Sequence, residues 1–151
     1  MQRVQFMLKD VIIDFEANES SGKTGDGIKF TTDGLYTFED NVGCVSYEES
    51  EVTGMEGTRT SLFFMPDSVI VDRDGSITSR MIFRPGEKND FLYNTPYGRA
   101  VMQIDTKSVR QNFGFAGGQA EVEYVINVDH TVFSKHRFTI NVRDTGEKAH
   151  G

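Results

Sequence analysis

The stretch AEVEYVINVD, residues 120–129, decides the fold of this chain because its side chains alternate between apolar and polar. The apolar face carries Ala120, Val122, Tyr124, Ile126 and Val128. The opposite face carries Glu121, Glu123, Asn127 and Asp129. A period of two residues is typical of an antiparallel strand with one buried face. We therefore predict a strand here and look for the same pattern elsewhere.

Alternating segments of this kind fill the rest of the chain, and turn residues separate them. The predicted strands cover residues 4–16, 28–39, 42–49, 58–65, 68–72, 76–83, 90–95, 98–113, 119–133 and 136–143. Asp74-Gly75 and Gly117-Gly118 suit tight hairpins, because glycine tolerates positive φ. In the first strand the apolar phase slips by one residue, which predicts a bulge near Lys9-Asp10.

Sequential antiparallel strands with short connections form a meander. A meander of about ten strands exposes two edges unless it closes on itself. We therefore predict an all-β fold, a closed antiparallel up-and-down β-barrel of about eight to ten strands. A two-sheet β-sandwich, which the same pattern allows, is the alternative. The barrel is predicted to form a single domain over residues 1–146, followed by a disordered tail at 147–151.

Composition excludes several classes of protein. The 151 residues carry a net charge of −7, which argues against a partner with a phosphate backbone, so no nucleic acid is expected. Cys44 is the one cysteine, which favours a reducing compartment. The first residues do not resemble a signal peptide, and no apolar run is long enough for a membrane helix. We expect a cytoplasmic protein without membrane attachment.

Three motifs suggest chemistry that their context does not support. Residues 17–24 match a relaxed phosphate loop that ends in Lys23-Thr24, but a strand follows where such a loop requires a helix. Asp72-Arg73-Asp74-Gly75 lacks the further acidic ligands of a calcium loop. His130 and His136 lack an evident third ligand. No catalytic residue, metal or cofactor is predicted from these motifs, and Cys44 is interpreted as a small residue beside the core.

The most unusual segment lies at residues 47–60. Val45 and Tyr47 are predicted to face the interior, and the same alternation carries Glu49 inward. On the following strand it places Thr58 and Thr60 inward as well. An isolated buried carboxylate is costly, so Glu49 is expected to be hydrogen-bonded, paired or near the rim. One interpretation is purely structural, in which Glu49 accepts hydrogen bonds from Tyr47, Thr58 or loop N–H groups and so fixes the adjacent loop.

The chain resembles the YwiB-like family, bacterial proteins of unknown function with a calycin-like, or lipocalin-like, β-barrel. The residues that carry the resemblance are Tyr47-Glu48-Glu49-Ser50, Thr53-Gly54, Glu56-Gly57-Thr58, Thr95-Pro96-Tyr97-Gly98 and Gly117-Gly118 with the following Glu121, Glu123 and Tyr124. The resemblance extends over residues 8–144. It implies a fold and a bacterial cytoplasmic setting, and it implies no catalytic residues.

By analogy with that fold, the first hypothesis is that a small apolar or amphipathic molecule binds in the lumen. The candidate lining residues are Tyr47, Glu49, Thr58, Thr60, Met81, Phe83, Tyr93, Tyr97, Met102, Tyr124 and His130. The competing interpretation is a fully packed barrel. A second hypothesis is a non-catalytic module whose acidic stripe (Glu121, Glu123, Asp129) and loop 48–56 meet a basic partner. A third is an enzyme that uses Glu49 as general base with Tyr97 or His130.

Overall fold

The computed structural model describes residues 8–20, 26–128 and 131–145. Over these ranges the chain forms ten β-strands and no helix. The strands are β1 (Lys9–Ser20), β2 (Asp26–Glu39), β3 (Val42–Glu48), β4 (Thr58–Met65), β5 (Ser68–Gly75), β6 (Ser79–Phe83), β7 (Lys88–Thr95), β8 (Gly98–Gly114), β9 (Gly117–Val128) and β10 (Thr131–Asp144). Nothing in these ranges could therefore cross a membrane as a helix.

All ten strands belong to one antiparallel sheet with the order β6-β5-β4-β3-β2-β1-β10-β9-β8-β7. Neighbours in the sheet are neighbours in the chain, except that β1 pairs with β10. That ladder joins residues far apart in sequence, such as Phe15 and Ile140. It curls the meander into a nearly closed barrel, which confirms the predicted all-β antiparallel architecture. The alternative, two separate sheets, is not what the described residues form, since all their strands belong to this one sheet.

The barrel has one seam, between β6 and β7, where no continuous ladder runs. A single bridge spans it, in which the backbone N–H groups of Thr78 and Asn94 each donate to the other residue's carbonyl oxygen, at 3.0 and 3.1 Å. The Asn89 side-chain amide also donates to the carbonyl oxygen of Ile82, at 3.4 Å. The described part of the sheet therefore closes through side chains and one bridge at this point.

Two bulges shift the inward face of long strands. In β8 the register changes between Thr106 and Ser108, so that Ile104 and Thr106 face inward before the bulge and Val109 after it. In β10 the register changes between Val132 and Ser134. At Lys9-Asp10, where a bulge was predicted, the ladder with β2 runs without a shift. Residues 4–7, on which that prediction also depended, lie outside the described ranges.

The last hairpin also differs from the prediction. β9 ends at Val128 and β10 begins at Thr131, whereas the prediction continued the first of these strands to Phe133 and began the next at His136. The sequence misled because Val132 and Phe133 extend an apolar run, yet both side chains are exposed beside the bulge. The predicted tail at 147–151 lies outside the described residues.

The core fills the two ends of the lumen differently. At one end the rings of Phe64 and Phe113 stack with centroids 3.9 Å apart, and the Tyr36 hydroxyl donates to the carbonyl oxygen of Gly114 at 2.7 Å. This end is closed by packed aromatic rings. At the other end, where β3 leads into loop 49–57 and β4 begins, the core leaves a cavity.

Candidate functional site

The cavity lies inside the barrel beneath loop 49–57 and has a volume of about 140 Å³. Its deep wall is apolar and includes Phe15, Phe30, Leu62, Phe83, Tyr124 and Phe138. These rings contact one another, as in the pair Phe83 and Tyr124, whose centroids are 4.7 Å apart. Its polar wall is built from Tyr47, Glu49, Thr53, Thr60 and Arg73. An apolar chamber with a few converging polar groups is the usual form of a small-molecule site.

Glu49 enters the cavity wall because β3 alternates, with Val45, Tyr47 and Glu49 all buried. Its side chain is only 7% exposed. One carboxylate oxygen accepts from the Thr53 hydroxyl at 2.9 Å, and the other accepts from the Thr60 hydroxyl at 2.5 Å. Glu49 therefore joins loop 49–57 to β4, as the structural interpretation expected, but its donors are the hydroxyls of Thr53 and Thr60 and not that of Thr58.

Arg73 is the site residue that the sequence analysis missed. It lies on β5 opposite Thr60, half-buried, with its Nη1 3.5 Å from the Met81 sulfur. Its Nε is buried and has no hydrogen-bond acceptor. The signal that could have found Arg73 is again the two-residue period of a strand. Val69 and Val71 of β5 face the interior, and Arg73 is the next residue in the same phase. The prediction ended that strand at Asp72 because the following Asp-Gly pair suggested an earlier turn, whereas β5 continues to Gly75.

The structure brings together part of the predicted set. The predicted residues that line the cavity are Tyr47, Glu49, Thr60, Met81, Phe83 and Tyr124. Thr58 is buried beside them, where its hydroxyl accepts from the backbone N–H of Ile77 at 3.1 Å. Tyr93 and Met102 are half-buried and pack against the core outside the cavity. His130 lies outside the described residues.

Tyr97 is placed away from the interior. It sits at the tip of the β7–β8 hairpin, and its side chain is 99% exposed. The Thr95 hydroxyl accepts the Tyr97 backbone N–H at 3.0 Å and so fixes the turn. The Thr95-Pro96-Tyr97-Gly98 segment therefore serves a turn, and Tyr97 does not line the cavity that contains Glu49.

Two phenols in the cavity are held in their neutral form. Burial raises the pKa of Tyr124 to about 12. Burial also raises the pKa of Tyr47, and the adjacent Glu49 charge raises it further. Both hydroxyls therefore act at neutral pH as hydrogen-bond donors and acceptors and supply no charge.

Loop 49–57 forms a fixed cover over the cavity. Gly54 and Gly57 have positive φ values of 75° and 83°, which suits glycine in tight turns. Between them Met55 contributes to the cavity wall. On the far side, the Ser76 hydroxyl donates to the carbonyl oxygen of Glu56 at 2.5 Å. The cover is thus tied to the β5–β6 connection as well as to Glu49.

The predicted acidic stripe lies on the outer surface, where its charges are paired. Glu121 accepts from both Arg110 and Arg137. Glu123 lies 3.9 Å from Arg137 and accepts from the Ser108 hydroxyl. Asp129 lies outside the described residues. A wide depression of about 700 Å³ crosses this surface, and paired side chains of both signs line it. The local charge is therefore more balanced than the sequence suggested.

The other chemical motifs do not form sites in the described structure. Burial raises the pKa of the half-buried Cys44 thiol, which disfavours its reactive thiolate form. The segment that resembles a phosphate loop continues as strand β1 to Ser20, and Lys23 lies outside the described residues. Within the described ranges, His, Cys, Asp and Glu side chains form no cluster of three or more that could hold a metal ion.

Comparisons with known proteins agree with the resemblance found in the sequence. A family model described as a domain of unknown function, DUF1934, matches residues 13–140. The crystal structure of the ywiB protein from Bacillus subtilis superposes with a TM-score of 0.81 at 20% sequence identity. The match covers 91% of this chain and 92% of that one. At this identity the likeness shows the fold alone. A comparison with curated proteins gives no match.

Proposed function

Because the chain belongs to the DUF1934 family, a domain of unknown function, we propose its function from the cavity itself: the protein binds one compact amphipathic molecule inside the barrel. The observation that carries this proposal is the separation of the cavity wall into an apolar chamber and a polar edge. Phe15, Phe83 and Phe138 would surround the apolar body of the ligand. Glu49 and Arg73 would meet its polar end.

The size of the cavity limits the ligand. A volume of about 140 Å³ is close to that of engineered cavities of ~150 Å³, which hold one benzene molecule. A ligand of roughly six to nine non-hydrogen atoms is therefore expected. The calycin-like barrel that the sequence resemblance implies is consistent with such a role.

The contrast between the two ends of the lumen also supports binding. A barrel whose only purpose is stability would gain by filling both ends, since lost packing contacts weaken a core. Here one end is closed by stacked Phe64 and Phe113, whereas the end with the cavity carries a carboxylate and a guanidinium. Polar groups in a core lower its stability unless they are satisfied, so their presence beside a void favours a ligand.

Native mass spectrometry of the protein purified from a bacterial host tests the proposal. An excess mass that disappears on denaturation is the expected result. Ala17 lines the cavity, so Ala17→Leu should fill it and abolish the excess mass. The matched control is Ala100→Leu on the exposed part of β8, which should retain it. A bare chain mass, together with no thermal stabilisation by any compound in a metabolite library, would contradict the proposal.

A further inference from the structure

Two opposite charges lie in the wall of the same cavity without pairing. Glu49 and Arg73 both line the cavity, yet no ion pair joins them within 4.0 Å. Thr60 lies between them, since it donates to Glu49 and stands opposite Arg73 in the β4–β5 ladder. The two charges are therefore close enough to meet one small molecule and too far apart to neutralise each other directly.

Arg73 differs in this respect from most of the other described arginines. Six of those side chains lie within 4.0 Å of a carboxylate: Arg59, Arg80, Arg84, Arg110, Arg137 and Arg143. Arg99 has no such contact, but it is exposed and water can solvate it. Arg73 is half-buried, its Nε has no acceptor, and its Nη1 meets only a thioether sulfur, which is a weak acceptor. An anionic group in the cavity would supply the missing acceptor.

Glu49 has the complementary deficiency. Its hydrogen-bond partners are hydroxyl groups, and within the described part of the chain no cation lies within 4.0 Å of it. A carboxylate offers about four acceptor positions, so the two hydroxyls of Thr53 and Thr60 leave room for a further donor. An ammonium group would supply both that donor and the missing positive charge.

We propose that the ligand is a compact zwitterion whose carboxylate binds Arg73 and whose ammonium group binds Glu49, with an apolar body in the aromatic chamber. An apolar amino acid has this chemistry. This inference rests on the proposed function, because it specifies the ligand of the same cavity. It follows from charge balance: the pair of wall charges sums to zero, so a ligand of zero net charge with both signs satisfies each wall group. A simple carboxylate would leave Glu49 unpaired, and a simple amine would leave Arg73 unpaired.

A matched series of probes separates these cases. Leucine, isocaproate, isoamylamine and isoamyl alcohol share the same branched apolar body and differ in their polar end. Calorimetric titration should show that leucine binds at least about tenfold more tightly than each of the other three, since each lost charged contact removes a tenfold factor or more. The equivalent series on a smaller branched body (valine, isovalerate and isobutylamine) should give the same order.

Variants assign the two contacts. Arg73→Met keeps the length of the side chain and removes its charge, so it should abolish the preference for leucine over isoamylamine. Glu49→Gln should abolish the preference for leucine over isocaproate. Arg80→Met, which removes an arginine whose contact with Asp72 lies on the surface, is the matched control and should leave both preferences unchanged. The Tm of ligand-free Arg73→Met should equal or exceed that of the parent, since its buried Nε loses no hydrogen bond. A purely structural role for Arg73 would lower that Tm instead.

The outcomes distinguish this inference from the proposed function. Equal binding of leucine and isoamyl alcohol, or of leucine and isocaproate, would overturn the zwitterion and leave the cavity as a binding site. The zwitterion would also be overturned, with the binding site retained, if neither amino acid binds and native mass spectrometry releases a ligand that lacks the carboxylate or the ammonium group. A bare chain mass with no binding by any probe would overturn both.

Discussion

Replacing Thr60 by valine removes one hydroxyl from the cavity wall while nearly preserving the shape of the side chain. Thr60 is 1% exposed, and its hydroxyl donates to Glu49 at 2.5 Å. A hydrogen bond to a charged group contributes about 1.5–3 kcal/mol, and the carboxylate keeps its hydrogen bond from Thr53. We therefore expect Thr60→Val to lower the free energy of unfolding by about 2 kcal/mol, which in a domain of this size shifts Tm by roughly 4–8 °C.

Urea unfolding and thermal scans test this value on four variants. They are Thr60→Val, Thr139→Val, Glu49→Gln and the double variant that combines Thr60→Val with Glu49→Gln. Thr139→Val, at a partly exposed threonine on β10, is the matched control and should change the free energy of unfolding by less than about 0.5 kcal/mol. In a Glu49→Gln background the acceptor is neutral, so the cost of Thr60→Val should fall to about 1 kcal/mol. The resulting coupling free energy of about 1 kcal/mol is the part of the Thr60–Glu49 hydrogen bond that depends on the negative charge of Glu49.

One result would refute the reasoning. If Thr60→Val changed stability no more than Thr139→Val does, the buried carboxylate would not depend on the hydroxyl that contacts it. The account of Glu49 as a group that fixes the loop over the cavity would then fail, and so would the assumption that the cavity wall is dry enough to strengthen its hydrogen bonds.

Three further predictions concern the rest of the barrel. Gly117→Ala should lower the free energy of unfolding in urea by about 2–5 kcal/mol, because φ is +113° and a Cβ would lie 2.2 Å from a carbonyl oxygen of β10. The control is Gly114→Ala, whose Cβ would meet open space and should lower the free energy of unfolding far less. Hydrogen bonds from two arginines hold the pKa of Glu121 below its usual value, so ionised Glu121 stabilises the folded protein. Glu121→Gln should therefore lower the free energy of unfolding near neutral pH, and this difference should disappear as pH falls through the folded-state pKa of Glu121. An undiminished loss in acid would contradict this assignment. Burial lowers the pKa of His136 below 6.5, so stability should decrease as pH drops below 6.5, and His136→Gln should show a smaller slope there.

Alternation along single strands was the most reliable guide to this fold. It predicted the inward faces of Ala120 and Val122 and carried Glu49 correctly into the wall of the cavity. Closure of the barrel followed from a general argument about unpaired edges, because β1 and β10 then had to meet. These inferences succeed because burial on one face of a sheet depends on local sequence.

The errors arose where local sequence and tertiary context disagree. The Asp74-Gly75 pair suggested an early turn and hid Arg73, whereas β5 includes that pair and ends at Gly75, which pairs with Thr58 of β4. Exposed Val132 and Phe133 resembled strand interior and displaced the last hairpin. Tyr97 was a candidate lining residue, but its side chain is exposed at the tip of the β7–β8 hairpin. The bulge in β8 could not be located from the sequence, because apolar residues occur at both odd and even positions on either side of it.

The ladder between β1 and β10 has a consequence for how the protein folds. The sheet consists of two meanders, β1 to β6 and β7 to β10, and this ladder connects them. Within each meander, every pairing is between consecutive strands. Each meander can form from contacts that are short in sequence, whereas joining them requires pairs such as Val11 with Asp144. The rate-limiting step should therefore be the docking of two preformed halves along this ladder. Substitutions in β1 and β10 should then slow folding, while equally destabilising substitutions in β5 should mainly speed unfolding.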